Sequence, residues 1–344
     1  MVEVNPRVAI SLWGSCLYTN PLPPTWLFPR FLEDKGIDLV ALSDPSAEYY
    51  VALDFSPKAL KSITRIPRNR RLLIAFEPRA VNPAQHTKSI RNKVAKTFVM
   101  SPDQLILQSD EVIQLGPFQD PRDIQRRVTT QTGSPRLPQV VILNENKFSF
   151  VTRNQYKMRY LAILELVKAG WIVNIGGKNW SRGFFWQLRE QAITLLVNLK
   201  AGATVNLLMY HSPLRKREEI KVVGHVENGL DFLSKFDFAL AIENDPQYLS
   251  EKLLNAIAAG CVPLYVGSPL ANFNIPESVA ITVKGKNGDF EGALSDLNEE
   301  KISSIREAGR DWLASDGVID YWSHDQALMN MANAIKNFVA TASD

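Results

Sequence analysis

"FALAIENDPQYLSEKLLNAIAAGCVPLYVG", residues 238–267, decides how this chain is read. Phe238–Ile242 is apolar throughout, as a strand covered on both faces should be. The run stops at Glu243-Asn244. Ser250 then suits a helix N-cap, and Leu253, Leu254, Ile257 and Ala258 recur at helical spacing. Gly260 ends that helix, and Val262–Val266 returns as a strand with Pro263 near its start. The stretch is therefore a β-loop-α-β unit with a right-handed crossover. Such a unit puts the loop Glu243–Leu249 and the helix start at the carboxyl end of the sheet, where open α/β sheets take their ligands.

Five polar side chains gather there. A helix N-terminus attracts phosphate through its free N–H groups and its dipole, and Lys252 adds a positive charge. Glu251 is a two-oxygen acceptor suited to a pair of sugar hydroxyls, and Tyr248 offers a ring face and a hydroxyl. Asn244 either holds a sugar or phosphate or serves the turn, and Glu243 either buttresses the loop or contacts a sugar. Read by themselves, these residues describe an anion or nucleotide site. The ordinary alternative is a capped helix with a solvated lysine and a packed tyrosine.

The rest of the chain repeats the alternation of strand and helix. Val8–Leu12, Ile37–Leu42, Tyr49–Asp54 and Leu72–Phe76 read as strands, and Trp26–Lys35 as a helix closed by Gly36. Residues 116–139 are polar and proline-rich, as a connector is. Lys147–Val151 reads as a fresh strand, Tyr156–Lys168 as an amphipathic helix ended by Gly170, and Trp171–Ile175 as a strand closed by Gly176-Gly177, with Lys178 after it as a further phosphate candidate. Gly183–Tyr210 reads as largely helical, and Ser323–Val339 as a last amphipathic helix. The expected organisation is α/β: residues 1–140 and 141–322 as two domains with a substrate cleft between them, and 323–344 as a C-terminal helix.

Composition narrows the function classes. The 344 residues are 45% apolar and 22% charged, so the chain can bury cores of its own. The net charge of +3 gives no case for nucleic acid as a partner. Basic runs stand at Arg68–Arg71 and Arg215–Arg217; each is a solvated face, or else an attraction to anionic membrane or glycolipid surfaces. Cys16 and Cys261 form no disulfide framework and read as buried thiols. His86, His211, His225 and His324 are scattered, and no D-x-D acid pair stands out, so no metal site is expected. No apolar stretch is long enough to span a bilayer, and the N-terminus lacks the layout of a signal peptide. A cytoplasmic protein is expected, with the inner face of the membrane as a peripheral docking place.

The opening stretch also resembles a family signature. Ile242-Glu243-Asn244-Asp245, Tyr248-Leu249-Ser250-Glu251-Lys252, Asn255-Ala256 and Gly260-Cys261-Val262-Pro263-Leu264-Tyr265-Val266-Gly267 follow, in order and spacing, the F-E-N-S, Y-x-T-E-K and N-A…G-x-V-P-V-x-x-G run of the α1,3-fucosyltransferases. Upstream, Phe150-Val151-Thr152-Arg153-Asn154 with Arg159 is similar to that family's F-V-x-S-N and following arginine. Leu12-Trp13-Gly14, Asn20-Pro21 and Leu73–Pro83 resemble its N-terminal motifs, and Glu77 matches the glutamate proposed there as the base. Here Ala75-Phe76 and Pro78 replace that motif's T-G and asparagine.

The resemblance implies a GT-B architecture, two Rossmann-like domains facing across a cleft. It implies inverting transfer of L-fucose from GDP-fucose to a glycan hydroxyl, without metal or cofactor. The implied donor-binding residues are Asn154, Arg159, Glu243, Asn244, Tyr248, Glu251 and Lys252, with Glu77 as the catalytic base; Lys178 joins the donor-binding set from its place after the Gly176-Gly177 turn, where a plain turn lysine is the alternative. Without a metal, Lys252, Arg159 and the helix end at Ser250 must balance the leaving diphosphate. Two alternatives keep the same fold: another nucleotide sugar as donor, or a binding protein without turnover. Residues 182–221 exceed the usual family spacer.

Overall fold

The computed structural model describes residues 5–12, 15–16, 28–56, 64–113, 115, 124, 137–284, 288–318 and 322–342. The chain divides into two compact units, Met1–Phe118 with Tyr321–Asp344, and Gln119–Asp320. The expected motifs at Trp13-Gly14 and Asn20-Pro21, and most of the connector 116–139, lie outside the described residues.

In the first unit, β1 (Arg7–Leu12), β2 (Ser15–Cys16), α1 (Phe28–Glu33), β3 (Asp38–Val40), β4 (Tyr49–Leu53), β5 (Arg71–Ala75), α2 (Lys88–Arg91), β6 (Lys96–Val99) and β7 (Asp110–Val112) follow one another. The sheet order is β2-β1-β4-β5-β6-β7, with β3 against β1; every pairing is parallel except β1 with β2. All five residues of β4 are buried, which a strand covered on both faces requires.

The second unit runs β8 (Leu137–Leu143), α3 (Tyr156–Lys168), β9 (Val173–Gly176), α4 (Phe184–Lys200), β10 (Ile220–Gly224), α5 (Gly229–Leu233), β11 (Phe236–Ile242), α6 (Glu251–Ala258), β12 (Val262–Val266), β13 (Ile281–Thr282), α7 (Phe290–Ser295) and α8 (Glu299–Ala314). Its sheet is β10-β9-β8-β11-β12-β13, all parallel. Counted within the unit this is the order 3-2-1-4-5-6, in which the direction of winding reverses between β8 and β11. Val140, Ile142, Ile175, Leu240, Ile242 and Leu264 fill the core on one side of the sheet with Ile163 and Leu166 of α3. Burying each such side chain stabilises by roughly 1.5–3 kcal/mol.

The structure corrects one element of the sequence reading. The first strand of this unit is Leu137–Leu143, not Lys147–Val151, which is irregular apart from one bridge between Val151 and Val205. Pro138 masked the strand. It sits at the second residue, where a missing N–H is tolerated, and the apolar run Val140–Leu143 follows it.

The last helix, α9 (His324–Ala342), packs in the first unit, against α1 and β5. Its Phe338 meets the Tyr49 ring edge-on, with centroids 6.3 Å apart. Cys261 is a buried free thiol, with its Sγ 3.2 Å from the Leu233 carbonyl.

Candidate functional site

The winding reversal brings the loops after β8 and β11 together, and one side chain ties them. Arg159, on the first turn of α3, is 3% exposed. Its guanidinium donates to the Asn244 side-chain oxygen, to the Ile242 carbonyl at 3.3 Å and to the Glu145 carbonyl at 3.5 Å. It also lies over the Tyr156 ring, 5.0 Å from the centroid. Its Nε is buried with no hydrogen-bond partner. All three acceptors are neutral. Burial pulls the Arg159 pKa down, while Tyr156, Glu243 and Glu251 push it back up. The result is a buried cation with no carboxylate bonded to it, at the place where a doubly wound sheet binds its ligand.

The β11-α6 loop is built around Glu243, which is fully buried. One carboxylate oxygen accepts from the Ser250 amide at 2.9 Å; the other accepts from the Ser250 hydroxyl at 2.7 Å and from Lys252 Nζ at 3.3 Å. Lys252 Nζ also donates to Ser250 Oγ at 2.7 Å, and 11% of its side chain is exposed. Ser250 caps α6, as its sequence position predicts. An ammonium has three donors, so Lys252 keeps one N–H beyond these two bonds. Glu251 is exposed in the first turn of the same helix, and Tyr248 and Asn244 are half-buried in the loop before it.

Behind Glu243, Gly267 leaves no room for a side chain: a Cβ there would overlap the Tyr265 hydroxyl and approach the Glu243 side chain. Tyr265 donates to the Ser268 carbonyl at 2.9 Å, and burial, then Glu243 and Glu277, push its pKa well above the usual phenol range.

Of the predicted donor contacts, Glu243 and Asn154 have their polar atoms committed within the protein. Asn154 donates to the carbonyls of Ser149 and Val151, both at 2.7 Å, and accepts from the Tyr156 amide at 3.1 Å. These bonds start helix α3 and so aim Arg159; Asn154 and Glu243 are positioning residues. Lys178 is exposed on the other side of β8, in an open cavity of about 550 Å³ with Asn179, Arg182, Gly224 and His225. Neither Arg159 nor Lys252 lines that cavity.

Glu77 belongs to the first unit and lies two residues beyond the end of β5, half-buried. Its main chain is held tightly. Its amide and that of Phe76 both donate to Asp54 Oδ1 at 3.0 Å. Its carbonyl accepts from Gln85 Nε2 at 2.7 Å and from His86 Nε2 at 2.9 Å. Arg91 donates to His86 Nδ1, which fixes the proton on Nε2, and Arg91 itself forms a wholly buried ion pair with Asp110. Burial brings His86 down to about 4.

Sequence reasoning missed Asp54. It is fully buried, and its φ of 56° is left-handed, a conformation aspartate tolerates better than most residues. The signal was present, since Asp54 ends an apolar strand just as Glu243 does.

Among the described residues, no group of three or more His, Cys, Asp or Glu could hold a metal ion, and no helix is long and apolar enough to cross a membrane.

No protein-family model matches the chain, and no curated protein matches it in sequence. Solved structures do match its fold. An α1,3-fucosyltransferase with GDP is 12% identical, with a TM-score of 0.51 over 98% of this chain and 92% of that one. A glycosyltransferase from Rickettsia africae is 11% identical, with a TM-score of 0.51 over 98% and 99%. Anabaena HepE in complex with UDP and glucose is 13% identical, with a TM-score of 0.51 over 89% and 88%. The chain therefore has the two-domain, Rossmann-like α/β fold of the GT-B glycosyltransferases.

Proposed function

We propose that this chain is a glycosyltransferase that moves L-fucose from GDP-fucose to a glycan hydroxyl with inversion. The observation that carries the reading is Arg159, a buried cation bonded only to neutral oxygens at the winding reversal of the second sheet. A diphosphate is the charge complement such a site lacks. Lys252 would meet it with its third N–H, beside the amides at the start of α6. Glu251 and Tyr248 would face the ribose or the sugar, and Asn244, held by Arg159, the sugar or phosphate.

In the reaction, the acceptor oxygen forms a bond to the sugar's anomeric carbon as the bond from that carbon to the diphosphate breaks. The acceptor proton passes to the Glu77 carboxylate, and GDP leaves with the bonding pair. Glu77 suits the role because its main chain is fixed at both amide and carbonyl while its side chain is half-buried. Charge on the leaving diphosphate is balanced by Lys252, Arg159 and the helix dipole, so no metal is needed for it.

A UDP-sugar donor is the second reading. HepE was solved with UDP, and its fold matches this chain as well as that of the GDP-bound fucosyltransferase does. Thr152 and Arg153 also stand where the resembled motif has serine.

Thermal-shift titration of chelator-treated protein with GDP, UDP, GDP-fucose and UDP-glucose tests this. A melting temperature that climbs with GDP and GDP-fucose is expected, by mass action. A rise with UDP compounds alone would move the donor to the second reading. Stabilisation by none of them would overturn the nucleotide-sugar site.

A further inference from the structure

Helix α4 is turned inside out. Its three buried residues are polar: Gln187, Gln191 and Asn198, at spacings of four and seven on one face. The opposite face is apolar and open. Phe185, Leu188, Ala192, Leu196 and Leu199 follow one another at spacings of three and four, and all are exposed, Phe185 to 85% and Leu196 to 58%. A helix folded for water alone would be rotated by half a turn, with leucine inward and glutamine outward. Gln187 is instead anchored inward by its bond to the Arg182 carbonyl at 3.0 Å, and Asn198 by a 3.5 Å contact with Ser149 Oγ. Beyond the helix, Leu207 and Leu208 are also exposed, to 65% and 75%. The apolar stripe runs nearly the whole length of a 17-residue helix, which is about 25 Å long. A surface of that kind marks a place where something docks.

The charge decides the occupant. Residues 182–221 hold seven Lys and Arg against three Glu and no Asp, a net +4. The whole chain carries +3, so the remainder sums to −1. Arg189 and Lys200 lie on the outward face itself, exposed, seven residues before and four after Leu196. Arg215, Lys216 and Arg217 are exposed later in the same segment. A second copy of this surface would bring cation against cation. An anionic bilayer complements both features: the apolar side chains enter the interface, and the long basic ones lie among its headgroups.

We propose that residues 184–217 dock the protein on an anionic phospholipid membrane, with the outward face of α4 lying in the interface. The inference is independent of the donor assignment, because none of its residues belongs to the nucleotide site.

The test is co-sedimentation of the full chain with vesicles of pure phosphatidylcholine and of phosphatidylcholine and phosphatidylglycerol at 3:1. It uses wild type, Phe185→Asp with Leu196→Asp, and Arg189→Ala with Lys200→Ala. All four positions are exposed, and an unchanged melting temperature confirms that the variants fold. Wild type binds the mixed vesicles, weakens as salt rises and leaves pure phosphatidylcholine largely unbound. The charge pair loses about 30-fold in partitioning, from about fivefold per cation near an anionic surface. The apolar pair loses binding to the mixed vesicles. No binding to the mixed vesicles, or equal binding to both, overturns the proposal. So does a wild-type dimer in sedimentation velocity that the apolar pair splits, since a second copy would then cover this face.

Discussion

Replacing Lys252 with methionine separates what the lysine does for the fold from what it does for a ligand. Sequence alone makes Lys252 a phosphate contact at a helix start, or else a solvated lysine, and on either reading its loss leaves the fold untouched. The structure places it against a carboxylate with no solvent access, so its removal leaves the Glu243 charge held only by the Ser250 amide and hydroxyl. Breaking a buried pair from one side costs about 3–5 kcal/mol. Two surviving donors and the 11% exposure of the lysine bring the expectation to about 2–4 kcal/mol, or roughly 5–12 °C in melting temperature for a unit of this size.

Glu243→Gln with Lys252→Met should recover most of that loss. The amide oxygen still accepts from the Ser250 amide, and the amide nitrogen donates to the Ser250 hydroxyl. GDP affinity then isolates the second role. If the third N–H of Lys252 meets a phosphate, both Lys252 variants lose about 10–100-fold in affinity, the worth of one charge-assisted bond, whatever their stability. Calorimetric titration and thermal melts on the same preparations read both quantities. A Lys252→Met protein that melts within a degree of wild type refutes the structural argument. A rescued double variant with wild-type GDP affinity refutes the ligand argument alone.

Glu77→Gln should retain the GDP affinity of wild type and lower transfer by about 10²–10⁴-fold; a variant retaining a tenth of the wild-type rate would remove Glu77 as the base. Gly177→Ala should lower the melting temperature by several degrees, because φ is 122° there and a Cβ would overlap the Asn144 carbonyl; an unchanged melt would show that the turn relaxes freely. His86 and His211 both lie at about 4 in the fold against an ordinary value of 6.5, burial being the main cause. Their neutral forms therefore contribute stability that is fully present above pH 6.5 and declines as pH falls toward 4, since the unfolded chain takes up the protons first. Urea unfolding of wild type and of His86→Asn at pH 7 and pH 5 should show a smaller loss in the variant, and equal losses would assign the pH dependence elsewhere.

The β11-α6-β12 unit was legible because each level of the sequence agreed: an apolar run, a cap at Ser250, helical spacing and a closing glycine. Strand β8 was hidden because one proline in a proline-rich neighbourhood outweighed four apolar residues, and only pairing with β9 and β11 shows that Pro138 sits at the strand's start. Which carboxylates were scaffold could not be read. Glu243, Glu251 and Glu77 look alike along the chain, and only burial and long-range partners tell them apart: Glu243 bonds a residue seven positions on, and the Glu77 amide bonds Asp54, twenty-three positions back. Asn154 and Arg159 were found only by resemblance. The bonds of Asn154 are local, but the role of Arg159 depends on a loop, after β11, that lies 85 residues away. The outward face of α4 was visible as helical spacing, but periodicity does not say which face a helix buries, and here the usual assumption points the wrong way.

Helix α9 carries a consequence for synthesis. It covers α1 and β5 of the first unit, yet it follows the whole of the second unit in the chain. On the ribosome, where chains emerge at about 5–20 residues per second, the second unit has every one of its strands available before residue 324 exists. The first unit, though begun earlier, must wait with Tyr49 uncovered until Phe338 arrives. The part translated first is thus the part finished last. For ten seconds or more, at those rates, its incomplete face is one that chaperones, rather than the protein's own residues, have to keep from aggregating.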